Sequence, residues 1–194
     1  GGADLARWML AMTLHAAARL TPTALGRIGF VLPLPARAVV AVPELGDELL
    51  RINALSCRPI RHLTFVLHHV APVHDDPALA RFHQRMQSSD VRVGFEIRSA
   101  TLDVLAPLRH VPYDELHLGR ELVRSLRPGS SGYAALETLL TLAERSATTL
   151  VATGVNSPET LRHLGTMGVD RFAGPAVGEP IRLDGLLQGL STGS

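Results

Sequence analysis

The chain has 194 residues, 46% hydrophobic and 19% charged, which excludes a disordered segment and supplies enough apolar material for one sizeable core. Its formal net charge is +1, with arginines and histidines scattered rather than blocked, so the footprint of a protein that binds a nucleic-acid polymer is absent. Cys57 is the single cysteine, which excludes an internal disulfide; with no zinc-finger spacing of Cys and His, a reducing cytoplasm is the expected location.

A helical pattern from Leu5 to Leu20 comes first. Arg7, His15 and Arg19 interrupt it, and it falls short of the roughly 20 apolar residues a membrane span needs. A buried helix is predicted there, with no membrane contact by this segment and no signal-peptide pattern around it. Short apolar runs then alternate with longer helical ones. Predicted strands cover residues 28–32, 63–68, 91–97, 115–118, 149–153 and 171–173, and predicted helices cover 44–55, 77–88, 101–110, 133–145 and 158–167. This rhythm predicts the α/β class with a parallel sheet whose strands are covered on both faces.

Local chemistry sharpens several boundaries. Asp76 before Pro77, and Ser157 before Pro158, place a capping oxygen ahead of a proline at the first helical position. Gly168 stands where a left-handed cap would end the helix over 158–167. Residues 128–132 read as a loop, because their Gly/Ser cluster lacks the lysine of a phosphate-binding P-loop. Leu136, Leu139, Leu140 and Ala143 recur at helical spacing and predict a core-facing stripe.

The most informative stretch begins with Ala152, Thr153, Gly154, Val155 and Asn156, and continues through Ser157, Glu159 and Leu164 to Gly168, Asp170, Gly174 and Pro180. It resembles the last strand-helix-strand unit of EAL domains, the cyclic di-GMP phosphodiesterases, whose pattern runs A-E-G-V-E-T, a leucine-spaced helix, G-C-D and Q-G. Upstream, the segment from Val111 to Val123 resembles the family's L-P-x-D-x-L-K-I-D-R-x-F-V. Glu96 and Ile97 lie over its D-D pair, Leu63 to His69 over L-x-L-E-I-T-E, Val31 to Arg37 over V-N-L-S-x-R, and Trp8 belongs to the helix before that strand.

The resemblance implies a TIM-barrel-like (β/α) fold, incomplete here, with about six parallel strands where a closed barrel has eight. It also implies one degenerate domain over residues 1–194 that corresponds to the C-terminal three-quarters of the family fold. The E-A-L strand itself has no counterpart before Trp8. The chain is therefore read as a piece of a longer protein, in preference to an open barrel or one completed by another chain, because an open edge exposes unpaired backbone groups.

The family holds magnesium or manganese with carboxylates and amides at its strand ends, and this is where the sequence departs. Pro33, Val66, His69, Ile97, Gly119, Thr153, Asn156 and Ala173 stand at family acidic or amide positions, and His117 replaces a lysine. The expectation is a domain with no catalytic residues, no resident cofactor and no metal, acting through a protein partner or self-association in bacterial cyclic di-GMP signalling. A non-hydrolysing cyclic di-GMP receptor that controls motility or biofilm output is the alternative, and an active phosphodiesterase comes third. Candidate ligand-binding residues carried over by the resemblance are Arg120, Glu159 and Pro180. A receptor predicts a basic mouth with Arg120 pointing in, whereas a contact module predicts one filled by Pro33, Val66 and Ile97. A different metal set, His69, Glu96 and His117, follows if three strand ends face one another.

Overall fold

Short strands alternate with capped helices along the residues that the computed structural model describes, 1–99, 108, 112–126 and 130–192. The strands are β1 (Phe30–Pro35), β2 (Leu63–His68), β3 (Arg92–Ile97), β4 (Glu115–Leu118), β5 (Thr149–Thr153) and β6 (Arg171–Ala173). Among the described residues they form one sheet in the order β1-β2-β3-β4-β5-β6. The helices are α1 (Gly2–Ala17), α2 (Pro22–Leu25), α3 (Ala36–Ala41), α4 (Leu45–Ala54), α5 (Pro77–Gln87), α6 (Arg120–Ser125), α7 (Ser131–Ser146), α8 (Pro158–Met167) and α9 (Leu183–Thr192). The chain divides into two units, one comprising Gly1–Val66, Asp76–Val93 and Pro180–Ser194, the other Leu67–Asp75 and Gly94–Glu179.

In the first unit, α1 buries Ala3, Ala6, Leu10, Leu14 and Ala17 and contacts β1, α3 and α4. Phe65 of β2 meets Phe82 of α5 edge-on, with ring centroids 6.3 Å apart, and Leu45, Leu49 and Met86 are fully buried. Each such side chain contributes roughly 2 kcal/mol through the apolar area it removes from water. Buried Asn53 ties the end of α4 to the approach to β2: its Nδ2 donates to the Ile60 carbonyl at 3.0 Å, and its Oδ1 accepts from the Ile60 N–H at 2.9 Å. At the start of α5 the Asp76 carboxylate accepts from the Ala78 N–H at 2.8 Å, as the Asp-Pro pair predicts.

Strand β1 departs from the prediction. It runs to Pro35 rather than ending at Leu32, and it is covered on one face, with Leu32 and Leu34 buried while Val31 and Pro33 are exposed. The backbone explains why the prolines are tolerated. Phe30 donates to the His62 carbonyl at 2.7 Å, so Phe30, Leu32 and Leu34 direct their polar groups toward β2. Val31, Pro33 and Pro35 then direct theirs to the sheet edge, where a missing N–H breaks no ladder bond. The helix predicted over Leu5–Leu20 also differs, because it ends at Ala17 and is buried along one side, leaving Leu5, Trp8 and Met12 exposed.

In the second unit β3, β4, β5 and β6 pair in parallel, with Glu96 opposite His117, Glu115 opposite Thr149, and Val151 opposite Arg171. Parallel partners share a face, so Gly94, Glu96, Glu115, His117, Val151, Thr153 and Arg171 lie on one side. Phe95, Ile97, Leu116, Leu118, Leu150 and Ala152 lie on the other and are all buried. Helix α7 buries the predicted Leu136, Leu139 and Ala143, while Leu140 is half-buried. Helix α8 starts on the Ser157 hydroxyl, which accepts from the Thr160 N–H at 3.1 Å, and ends at Gly168 with a left-handed φ of 101°. The helix predicted over 101–110, apart from residue 108, and residues 128 and 129 of the predicted loop at 128–132 lie outside the described residues; the end of that predicted loop is instead the start of α7, capped by Ser130. Among the described residues no helix is long and apolar enough to cross a membrane.

Candidate functional site

Alternation along β4 turns Glu115 and His117 to the same face, and the sheet buries both. The Glu115 side chain is 2% exposed, its Oε2 lies 2.9 Å from His117 Nε2, and its Oε1 accepts from Arg171 Nη1 of β6 at 3.2 Å. A buried carboxylate this far from water needs such partners to stay charged. Gly94 makes room for the imidazole: a Cβ there would stand 3.0 Å from His117 Cδ2. The result is a carboxylate, an imidazole and a guanidinium engaged with one another across β4 and β6.

Along the C-terminal ends of the same strands the polar groups are fewer. Thr153 donates its hydroxyl to the Leu118 carbonyl at 2.9 Å, while at the opposite, N-terminal end of β5 and β6 Asp170 accepts from the Leu150 N–H at 2.7 Å. Both are thereby committed to the backbone. Glu96 is half-buried and forms no hydrogen bond among the described residues. Ile97, one residue on, faces the opposite side and is buried in the core. It lines an apolar cavity of about 210 Å³ with Val70, Pro72, Phe95 and Leu108.

Arg120 opens α6, exposed, with its stem lying over Gly154; a Cβ on that glycine would come within 2.6 Å of Arg120 Cβ. Its guanidinium has no ion pair among the described residues. Arg98 reaches the neighbouring Glu121 instead, at 2.9 Å, and that guanidinium holds the Glu121 carboxyl below its ordinary range. Glu159 is exposed in the first turn of α8 and lines a groove of about 930 Å³ with Leu126, Arg162, His163 and Thr166, to which Arg120 does not contribute. Pro180 is exposed and belongs to the first unit.

The set His69, Glu96 and His117 is not assembled for a metal. His117 directs Nε2 at Glu115, His69 is tied to its neighbour His68, and among the described residues no group of three His, Cys, Asp or Glu is placed to hold one. Pro33 is exposed rather than packed into a filled mouth, while Val66 and Ile97 are buried. The Glu115–Arg171 contact joins residues 56 apart in sequence and went unpredicted. Its local signal is a glutamate and a histidine two apart in an apolar strand, which places both on one covered face.

His68 carries a testable pH signature. Burial, then His69, lower its pKa below the ordinary histidine range near about 6.5, with Glu96 opposing and Arg98 adding to the shift. Its Nδ1 sits 2.9 Å from His69 Nδ1, an arrangement that needs one of the two nitrogens unprotonated. The unfolded chain therefore takes up this proton first, and stability falls as the pH drops below about 6.5 until the folded imidazole is protonated too. Thermal melts between pH 7.5 and 5.5 are expected to show a smaller loss in His68→Asn than in the wild type. Equal losses would remove His68 as the cause.

The EAL domain family model matches residues 2–180. The EAL domain of Mycobacterium smegmatis DcpA is similar in structure at 20% identity, with a TM-score of 0.83 over 98% of this chain and 85% of that one. The PaMucR phosphodiesterase, solved as a c-di-GMP complex, shares 18% identity with a TM-score of 0.78 over 95% of this chain and 80% of that one. The FimX EAL domain from Pseudomonas aeruginosa, solved bound to c-di-GMP, shares 14% with a TM-score of 0.75 over 92% and 71%. No curated protein matches the chain. The six-stranded α/β fold is that of these TIM-barrel-like structures, and the chain belongs to the EAL domain family.

Proposed function

We propose that this chain is a non-hydrolysing EAL domain that acts in cyclic di-GMP signalling by contact with protein, either a partner or a second copy. The observation that carries the reading is the set of side chains at the family's ligand positions. Hard divalent cations such as magnesium or manganese need several oxygen donors, and Pro33, Val66, Ile97, Gly119 and Ala173 offer no side-chain oxygen. Thr153 has its hydroxyl committed to the Leu118 carbonyl, which leaves the Glu96 carboxylate and the Asn156 amide as the oxygen donors among these positions. The residues do not fit a metal pair of the family's kind, and no hydrolytic step is assigned. The Glu115–His117–Arg171 cluster supports the same reading, since both Glu115 oxygens and His117 Nε2 are engaged with one another or with Arg171 instead of standing ready for a ligand.

A cyclic di-GMP receptor is the second reading, and Arg120 favours it. Its guanidinium is exposed, has no ion pair among the described residues, and has its stem braced over Gly154, an arrangement suited to a phosphate oxygen. Two similar structures, those of PaMucR and FimX, hold c-di-GMP.

Calorimetric titration of cyclic di-GMP into the chain, with and without magnesium and manganese, separates the two. The contact reading expects no binding heat in either buffer. A dissociation constant of about 1 µM, worth roughly −8 kcal/mol, that Arg120→Ala weakens at least tenfold would replace it with the receptor.

A further inference from the structure

We propose that the apolar cavity behind the end of β3 is a binding site for a small uncharged aromatic molecule, a single ring with at most a short extension. It goes beyond the contact reading, does not depend on it, and uses residues of the second unit alone.

The cavity holds about 210 Å³. Protein interiors pack so closely that voids larger than a water molecule are few, and an empty one destabilises the fold in proportion to its volume. The wall here is carbon: Val70 and Leu108 are each 8% exposed, Phe95 2% and Ile97 1%, with Ala71 and Pro72 beside them. A space lined in this way offers water too few of the hydrogen bonds it needs and stays dry, and a dry cavity of about 150 Å³ already accepts benzene. At 210 Å³ this one takes a ring the size of toluene or indole.

The groups at its rim exclude charge on the occupant. His69, Glu96 and Arg98 also line the cavity, and the polar end of each is engaged or turned to another face. Arg98 sets Nη1 3.4 Å from His69 Nε2 and donates through Nη2 to Glu121 at 2.9 Å, while His69 Nδ1 lies 2.9 Å from His68 Nδ1. Glu96 belongs to the opposite face of β3, and its Oε1 stands 3.3 Å from the place a Cβ on Gly119 would take. None of the three is left to receive a charged group, and burying such a group unpaired costs more than the ring gains.

Strand alternation also separates this cavity from the polar face of the sheet. Phe95 and Ile97 face away from Glu96 and His117, so β3 itself stands between the cavity and those side chains. An occupant acts on the corner it fills: it packs residues 70–72 against the end of β3, one residue before the Arg98 that joins His69 to Glu121.

Toluene titrated into the chain labelled at its Ile, Leu and Val methyl groups tests the proposal, with benzoate as its charged counterpart. The expected result is saturable shifts at the Val70, Ile97 and Leu108 methyls, with a dissociation constant on the order of 0.1–1 mM for a ligand of so few atoms. Benzoate leaves those methyls in place, and xenon moves them, as a dry cavity requires. Ala71→Leu fills the space from within and weakens toluene at least tenfold, while methyls remote from the cavity keep their wild-type positions. Absence of saturable shifts with both toluene and xenon in the wild type overturns the proposal without recourse to any variant. So do benzoate binding as tight as that of toluene, and toluene binding unchanged in a folded Ala71→Leu. None of these outcomes bears on the cyclic di-GMP titration, so the two readings fall separately.

Discussion

Glu115→Leu is expected to lower the unfolding free energy by about 3 kcal/mol, among the largest losses available to a single substitution outside the core. Glu115 is 2% exposed and serves two partners at once, His117 at 2.9 Å and Arg171 at 3.2 Å. Removing it strands the His117 imidazole beside Gly94 with no acceptor for Nε2, and desolvating an unpaired polar group costs about 1–3 kcal/mol before the lost charge-assisted bonds are counted. Arg171 suffers less, because its side chain is 55% exposed and water can take over. The double variant Glu115→Leu with His117→Leu separates pairing from packing. An apolar pair of similar volume usually matches a buried ion pair in stability, so the double variant is expected to fall within about 1 kcal/mol of the wild type. Urea denaturation of the three proteins measures this. A double variant as unstable as the single would show that shape rather than unpaired polarity sets the cost.

Gly174→Ala is expected to cost about 4 kcal/mol and to loosen the β5–β6 corner. Gly174 has φ 142°, a conformation that side-chain-bearing residues rarely adopt, and an added Cβ would stand 2.4 Å from the Val155 carbonyl oxygen and 2.5 Å from its nitrogen. Both obstacles are backbone, so no rotamer relieves them. Val155 is also pinned from both directions: its N–H donates to the Ala173 carbonyl at 3.1 Å and its carbonyl accepts from Ala176 at 3.0 Å. Moving it breaks those bonds. Amide hydrogen exchange at Val155 and Ala176, together with the denaturation midpoint, reads the effect. Protection and stability close to wild type would contradict the steric account.

Much of the fold was legible because its signals are local. β2, β4, β5, β6 and α8 fall on their predicted residues, since each is a short apolar run or a helix fixed by a proline start and a glycine stop. β1 runs on to Pro35, three residues past its predicted end, because whether proline is tolerated in a strand depends on which side of the strand faces a neighbour. That is a property of the assembled sheet. α2, α3 and α6 went unpredicted because helices of four to six residues carry too few periods to register, and α9 because its leucines follow a Gly/Pro-rich stretch that reads as a tail.

The site was legible in a different way. The proposed loss of oxygen donors at residues 33, 66, 97 and 119 rests on residue identity and a family pattern to align against. The Glu115–His117–Arg171 cluster needed the register of three strands, which no window of sequence contains. Arg120 lay between these cases. Its position was legible, but the state of its guanidinium was not: among the described residues it has no ion pair, and the neighbouring Glu121 is held by Arg98.

The central claim is that this EAL domain does not cut cyclic di-GMP, and a product assay tests it most directly. Cyclic di-GMP would be incubated with a stoichiometric amount of the chain in saturating manganese, and the linear dinucleotide resolved by chromatography over a day. The account predicts no linear product above a protein-free control. Product that accumulates with time and disappears in chelator would contradict it and restore a metal-dependent phosphodiesterase.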